Sequence, residues 1–312
     1  MPHTDPRLSP ESRVPALITT LVVILAALVS GVRPGYTQGV RVPVGDGPAA
    51  GSIGVLNRWR TLDGNEDLYR STIDLGSGPK LDHVTLRYRE AEPGTGIRLL
   101  DSADIDLSSW GGEPSSTFLA RWSRGHDYDA SIRYRRLAYF NRIPSVANPS
   151  IGFSGAAQQW LDIDRGLFDA ELTILPRRRV GGFVGISRDS AKGPGRTTYV
   201  VDANEYSVNS ATDTFNNTFR GGIRIRSDRW TAHLEAGVSR FDDSQALAFE
   251  GGTTGNRTAL FLGQRLRLTD LDQRYRVRGT DRFARARIEA RPWSPLTLFG
   301  QFSFSQPTTD AD

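Results

Sequence analysis

Cysteine is absent from the 312 residues, and methionine occurs only at Met1. Without cysteine there is no disulfide framework, no thiolate nucleophile, and no cysteine-held zinc or iron–sulfur site. Covalent attachment of a c-type haem needs a C-x-x-C-H motif, so the chain is not itself a c-type cytochrome. The sequence therefore predicts no cofactor held by this chain.

The chain also has little excess charge of either sign. Lysine and arginine total 39 against 35 acidic residues, which leaves a net charge of +4, and lysine occurs only at Lys80 and Lys192. The arginines are scattered among nearly as many carboxylates rather than gathered in a basic tract. This pattern disfavours nucleic acid as a partner.

Long hydrophobic runs are missing apart from one near the N-terminus. The apolar stretch 14–29 follows a polar start that carries Arg7 and Arg13, and small residues come after it. Its length is closer to the apolar region of a secretory signal than to a spanning helix of about 20 residues. We therefore predict a signal peptide over residues 1–31, cleaved after Gly31, with an uncleaved anchor as the alternative.

Residues 32–80 are rich in glycine and proline and show little regular pattern, so we interpret them as an N-terminal periplasmic segment. From residue 81 onwards, apolar and polar residues alternate with period two over runs of 8–11 residues. In 128–135 the residues Tyr128, Ala130, Ile132 and Tyr134 share one face. Strict alternation of this kind predicts β-strands, about ten to twelve of them between 81 and 305. Turn-rich gaps at 92–96, 187–198 and 249–257 are expected to separate the strands.

Two all-β architectures produce this alternation. In a secreted β-sandwich the apolar face packs inward, whereas in an outer-membrane barrel it faces lipid and the polar face lines the lumen. Several of the runs reach the 9–11 residues that a tilted membrane strand needs. Aromatic residues stand near their ends, as interface girdles require: Trp122, Tyr128, Tyr139, Phe140, Trp230, Trp293, Phe302 and Phe304. We therefore predict an antiparallel transmembrane β-barrel over residues 81–312.

Alternation is still strong at Phe302 and Phe304, and the sequence then stops at SQPTTDAD without a terminal aromatic residue. We therefore expect the sequence to be a truncated part of a larger barrel. The alternative is that the last strand lies inside the chain and a short tail follows it.

Several phrases resemble the acidobacterial type of large outer-membrane β-barrel, which is related to the porin component of porin–cytochrome conduits. They are YRSTIDLGSGPKL (69–81), YRRLAYFNRIPSVANP (134–149), TTYVVDANEY (197–206), FRGGIRIR (219–226) and LFGQFSFSQP (298–307). The resemblance implies a barrel that sheathes a multihaem c-type cytochrome and insulates an electron path across the outer membrane.

Arginine recurs on the polar side of several predicted strands. The candidates for a lumen-facing set are Arg133, Arg135, Arg224, Arg226, Arg285, Arg287 and Arg291. Such a set would give a pore a preference for anions, or would pair with haem propionates or an acidic cytochrome surface. The alternative is that these arginines form cross-strand ion pairs that only hold the sheet together.

Enzymatic interpretations have weaker support. His233 with Asp242 and Asp243 could belong to an outer-membrane protease, and Ser123 with His126 to a phospholipase. Non-catalytic positions explain these residues better: His233 in the lumen, Asp242 and Asp243 at the start of a loop, and His126 in a turn. We therefore predict a non-enzymatic barrel in the outer membrane of a Gram-negative-type bacterium, in contact with its lipid. It would act as a porin-like channel or as the sheath of a multihaem cytochrome. The alternatives are an outer-membrane hydrolase and a soluble secreted β-sandwich that binds a ligand.

Overall fold

The computed structural model describes residues 37–44, 48–90, 100–142 and 159–311, so the predicted signal peptide and the gap at 92–96 lie outside the described residues. Within them the strands are β1 (Thr37–Val44), β2 (Ala49–Arg58), β3 (Gly78–Arg89), β4 (Ser102–Trp110), β5 (Ser115–Arg124), β6 (Tyr128–Asn141), β7 (Trp160–Ile174), β8 (Val180–Val201), β9 (Asn204–Arg226), β10 (Trp230–Thr254), β11 (Arg267–Trp293) and β12 (Leu296–Ala311). One short helix, α1 (Glu66–Thr72), lies between β2 and β3.

All the strands form a single antiparallel sheet whose spatial order is the order of the chain, β1 to β12. This confirms the all-β prediction, and ten strands, β3 to β12, occupy the region for which ten to twelve were expected. Strands β1 and β12 are the two edges, and no pairing joins them in the described residues. The described sheet is therefore open, and the barrel predicted for residues 81–312 is not closed within it.

Helix α1 begins after Asn65, whose side chain accepts a hydrogen bond from the Leu68 N–H and so caps the first turn. Its seven residues fall short of the length needed to span a bilayer, and the described part of the chain has no longer helix that would qualify.

The gap predicted at 187–198 is instead the middle of β8. At position 193 the backbone of β8 lies so close to β7 that a Cβ would overlap the Asp162 backbone carbonyl. Glycine is therefore needed here for close packing of two extended strands. Pro194, which has no N–H, pairs with Ala211 of β9, while the register with β7 skips from Lys192 to Gly195. Glycine and proline therefore mark a local irregularity of the ladder and not a turn.

The other expected gap, 249–257, is also largely strand, because β10 continues to Thr254 through a bulge between Glu250 and Thr253. Two strands and α1 moreover fall within 32–80, the segment interpreted as preceding the fold. In β2 the glycines Gly51 and Gly54 interrupt the apolar alternation, which hides the strand pattern. Gly51 is required there because a Cβ would collide with the Thr85 carbonyl of β3.

The two ends of the sheet differ. At one end, which we call the Tyr128 end, turns at 125–127, 175–179, 227–229 and 294–295 join consecutive strands. At the opposite end, the Asn204 end, lie α1 and the 255–266 connection.

Candidate functional site

One face of the sheet carries a continuous apolar band. Because directly paired residues of antiparallel strands project from the same face, the pairs Ala130 with Leu172 and Ile132 with Ala170 extend one apolar surface from β6 to β7. The register carries that surface across β2 to β12. Its members are Ile53, Val84, Leu86, Ile105, Leu107, Phe118, Ala120, Trp122, Ala130, Ile132, Tyr134, Phe168, Ala170, Leu172, Ile174, Val184, Ile186, Phe219, Ile223, Ile225, Trp230, Ala232, Leu234, Ala236, Val238, Ala284, Ala286, Ile288, Ala290, Leu298, Phe302 and Phe304.

The larger side chains of the apolar band are exposed or half-buried, and only the small side chains of Ala120 and Ala130 are buried. Phe302 is 62% accessible, Val184 54% and Ile223 43%, and no second sheet covers them within the described chain. Contiguous exposed apolar surface much larger than a few hundred Å² is rare on monomeric soluble proteins and marks an interaction surface for protein or membrane. The single sheet also means that the described strands do not form the two layers of a sandwich.

The height of the band follows from the strand length. On β10 it runs from Trp230 to Val238, nine residues or roughly 30 Å along the strand at about 3.3 Å per residue. Tyr128, Trp230 and Trp293 stand at the Tyr128 end of their strands. Two other residues predicted to form girdles are placed elsewhere.

Phe140 lies six residues beyond Tyr134 and is buried, with the Arg70 guanidinium of α1 3.7 Å from its ring centroid. Tyr139, as the neighbouring residue of an extended strand, projects from the opposite face. Neither residue therefore belongs to the edge of the apolar band.

The opposite face is polar and charged, and we call it the charged face. At its centre, Arg220 of β9 donates to Asp169 (2.9 Å) and to Glu171 (3.1 Å), both on β7. The guanidinium reaches them across β8 at Gly185, where a Cβ would lie 3.2 Å from the Arg220 Cζ. One arginine thus links β9 to β7 across the intervening strand β8.

All seven arginines predicted from the alternation lie on strands β6, β9 and β11 at charged-face positions. Arg224 and Arg287 are paired in register with His233 from its two sides. Arg133 faces Asp169, and Arg285 lies 3.7 Å from the Glu235 carboxylate. Arg135, Arg226 and Arg291 complete the set, and Arg291 pairs with Glu289 on its own strand at 3.0 Å.

Aromatic rings on the charged face lie over glycines of neighbouring strands. A Cβ at Gly222 would be 2.5 Å from the Phe183 ring, and one at Gly237 would be 2.5 Å from the Phe283 ring. Phe241 covers Gly279 in the same way, at 2.7 Å. Glycine is needed at these strand positions so that rings can lie flat on the backbone, an arrangement that alternation alone does not reveal.

A hollow of about 700 Å³ opens on the charged face nearer the Asn204 end. It is lined from β6, β7 and β10 by Leu137, Tyr139, Ile163 and Phe241, with Arg165 and Asp189 at its side. Arg165 donates two hydrogen bonds to Asp189, of 2.9 and 2.5 Å, so these two charges at the hollow already neutralise each other.

The residues considered for hydrolysis are not brought together. Asp242 and His233 project from opposite faces of β10, and Asp243 is ten residues, or about 33 Å, from His233 along the strand. The Ser123 hydroxyl lies 2.7 Å from that of Ser102, while His126 is exposed in the turn. Among the described residues, no three His, Asp or Glu side chains are placed to hold a metal ion.

Sequence reasoning missed an ionic cluster at the Asn204 end. Glu113, in the β4–β5 turn, accepts from Arg58 at 2.6 Å and lies 3.8 Å from the Lys80 Nζ. Lys80 is buried and donates to the Gly111 carbonyl. Lys80 and Glu113 are distant in the chain and belong to no motif, so only the fold brings them together.

A second missed feature lies just beyond the apolar band, where Asp242 accepts from the Arg276 guanidinium at 3.0 and 2.5 Å. The hydrogen bond from Arg276, with the positive charges of Arg276 and Arg278, lowers the pKa of Asp242 below its ordinary value, against the opposing effect of burial. Asp242 was expected to start a loop, but it is paired in the middle of β10 with Phe215 and Arg278.

Comparison with known proteins places no further constraint on the site: no protein-family model matches the chain, and no curated protein matches its sequence significantly.

Proposed function

We propose that this chain forms the wall of an outer-membrane β-barrel, with the apolar band against lipid and the charged face towards the lumen. The observation that carries the proposal is the apolar band itself, exposed and continuous in register across eleven strands, with a charged face behind it. A bilayer is the solvent in which such a surface is stable.

The dimensions of the band support a membrane setting. A stretch of about 30 Å, tilted by roughly 40° from the barrel axis, covers about 23 Å of height, close to the ~25 Å apolar belt of outer-membrane barrels. Tyr128, Trp230 and Trp293 then stand at one interface, where amphipathic rings are favoured. The turns at the Tyr128 end match the short periplasmic turns of such barrels.

The proposal places one requirement on the two edges. Strands β1 and β12 carry unpaired backbone groups, and no lipid-exposed strand edge is stable in hydrocarbon. Both edges must therefore be paired in the membrane so that the wall closes.

Two roles suit a wall of this kind. As a porin-like channel, the arginines on the charged face would favour anions. As the sheath of a multihaem cytochrome, the same arginines would bind haem propionates or acidic groups of the partner. The resemblance of the phrases at 134–149 and 219–226 to conduit porins favours the sheath, in which the haem belongs to the partner because this chain has no cysteine.

The absence of cysteine allows a direct test of the two faces. Ile223→Cys on the apolar band and Arg224→Cys on the charged face are adjacent in β9 and serve as matched positions. In outer membranes from cells that express the full chain, a water-soluble maleimide should label Arg224→Cys, while Ile223→Cys should stay unlabelled until detergent is added. Equal labelling, or release of the chain from membranes by urea without detergent, would overturn the proposal.

The absorbance spectrum of the detergent-purified chain then separates the two roles. A Soret band that co-elutes with this cysteine-free chain must come from a bound partner and would support the sheath. Purification without haem, with conductance in planar bilayers, would support the channel.

A further inference from the structure

A polar hollow of about 700 Å³ lies immediately beyond the apolar band, on the same face of the sheet. Three arginines of β10 and β11 line it, Arg240, Arg278 and Arg282. The register fixes its position, because Arg282 pairs with Val238, the last apolar band residue of β10, and Arg240 lies two residues further along that strand.

The charge balance of the hollow favours an anion. Its lining carries three arginines and two carboxylates, Asp242 and Asp310, and Arg276 is already bound to Asp242 from outside the lining. Counting these four arginines against two carboxylates leaves a local charge of +2. Arg240 and Arg282 are exposed, and neither forms an ion pair with a carboxylate in the described parts of the chain.

The neutral part of the lining adds hydrogen-bonding groups. Thr280 and Thr308 are directly paired across β11 and β12, and Gln306 is paired with Arg282. Guanidinium groups bind phosphate through two parallel hydrogen bonds, and hydroxyl and amide groups can occupy the remaining oxygens. The chemistry of the hollow therefore suits a phosphate group.

We propose that this hollow binds the phosphate of an anionic membrane lipid whose acyl chains lie on the apolar band. This inference rests on the proposed membrane function. The hollow is continuous with the apolar band, which favours a lipid over free phosphate. Ala284 and Phe304 form the row next to Arg282 and Gln306, and Phe304 is 51% exposed. Acyl chains gain contact with that row while the headgroup remains among the arginines, whereas inorganic phosphate gains nothing from it.

The test uses the full chain purified in a phosphate-free maltoside detergent. Dioleoyl phosphatidic acid and dioleoyl glycerol, which differ only in the phosphate, are titrated in, and bound lipid is counted by native mass spectrometry. The variant R240Q/R282Q removes the two guanidiniums that form no ion pair within the described residues. The control R265Q/R274Q removes two exposed arginines further towards the Asn204 end, of which Arg274 lies on β11.

We expect the wild type and the control to bind phosphatidic acid and not dioleoyl glycerol, and R240Q/R282Q to bind it about tenfold more weakly or worse. Single R240Q and R282Q variants should each show part of the loss, which preserves the test if the double variant folds poorly. Equal binding of both lipids, unchanged binding by R240Q/R282Q, or displacement of the lipid by inorganic phosphate at equal concentration would overturn the inference.

Membrane insertion and cysteine labelling of the same protein distinguish failure of the lipid site from failure of the proposed barrel function. If the chain inserts into membranes and shows the labelling difference between Ile223→Cys and Arg224→Cys, but has no preference for phosphatidic acid, only the lipid site is wrong. If the chain does not insert, the proposed barrel function fails first.

Discussion

The Phe183 ring of β8 stacks on the imidazole of His233 of β10, with the ring centroids 5.2 Å apart and their planes 10° from parallel. The whole of β9 separates the two residues, with Gly222 paired with Phe183 and Arg224 paired with His233. The Phe183 ring reaches the imidazole by lying over Gly222. The two rings can meet across β9 because position 222 of that strand is a glycine and has no side chain. The stack therefore depends on Gly222 as much as on the two rings.

Gly222→Ala should destabilise the sheet by about 1–3 kcal/mol, because the added methyl group overlaps both the Phe183 ring and the Leu234 carbonyl. The free energy of unfolding, taken from urea titrations of the detergent-folded chain, measures the effect. Gly221→Ala is the matched control, since its Cβ would lie 3.3 Å from the nearest atom, the Phe183 carbonyl oxygen. Equal losses in the two variants would show that the stack does not depend on this gap.

Arg220→Gln should cost about 1–2 kcal/mol, because it leaves the carboxylates of Asp169 and Glu171 without their shared donor on a partly buried surface. The Arg220 side chain is 19% exposed. The Lys192–Asp213 pair has the same 2.9 Å separation with side chains 75% and 56% exposed, so Lys192→Gln should cost about 0–0.5 kcal/mol. A double-mutant cycle of Arg220→Gln with Glu171→Gln measures the coupling, which should exceed that of the exposed pair.

Alternation predicted which side of each strand the arginines occupy, because side chains of extended backbone alternate whatever the partner strand is. Arg224 and Arg226 therefore share a face in any sheet that contains this strand. Their partners were not predictable in the same way. Arg220 is 51 residues from Asp169, and the contact depends on the registers of β7, β8 and β9 together.

Glycine-rich stretches were the main source of error in predicting where strands end. Glycine occurs in turns, but it also occurs within strands where two backbones lie close together. The segment 187–198 was expected to be a turn, yet Gly193 allows β8 to lie against β7. Closure of the sheet depends on pairing between its edges, which no local pattern encodes. The helix α1 did leave a local signal, since Asn65 followed by Glu66 and Asp67 is a typical helix start, but seven residues are too few for a 3.6 period to emerge.

Ala203→Gly should stabilise the chain by about 1 kcal/mol. Asp202 and Ala203 form the two-residue turn between β8 and β9 with φ values of +51° and +58°. This left-handed conformation is strained for alanine and free of steric cost for glycine. Ala203→Val should have the opposite effect, because branching at Cβ increases the clash. Thermal or urea unfolding would measure both variants, and a loss of stability in Ala203→Gly would contradict the assignment of strain to this turn.

Acid should remove the stabilising contribution of Asp242. Its pKa in the folded chain is lowered from the ordinary value of 3.8, first by the hydrogen bond from Arg276 and then by nearby positive charge. A carboxyl group with a lowered folded pKa stabilises the fold fully above its unfolded pKa, and this contribution is lost as pH falls through the folded value. Asp242→Asn should therefore be less stable than the wild type at neutral pH, and the difference should shrink as the pH falls below about 4.

Urea midpoints of the two proteins across that range measure the difference directly. Asp272→Asn is the control, because the exposed Asp272 carboxylate on β11 lies 3.3 Å from Arg274 on the same strand. Among the described residues, that carboxylate forms no ion pair with another strand. A difference between wild type and Asp242→Asn that stays constant with pH would show that the amide disturbs packing and not charge. A difference that grows in acid would reverse the sign of the argument and exclude the ionised Asp242–Arg276 pair as its source.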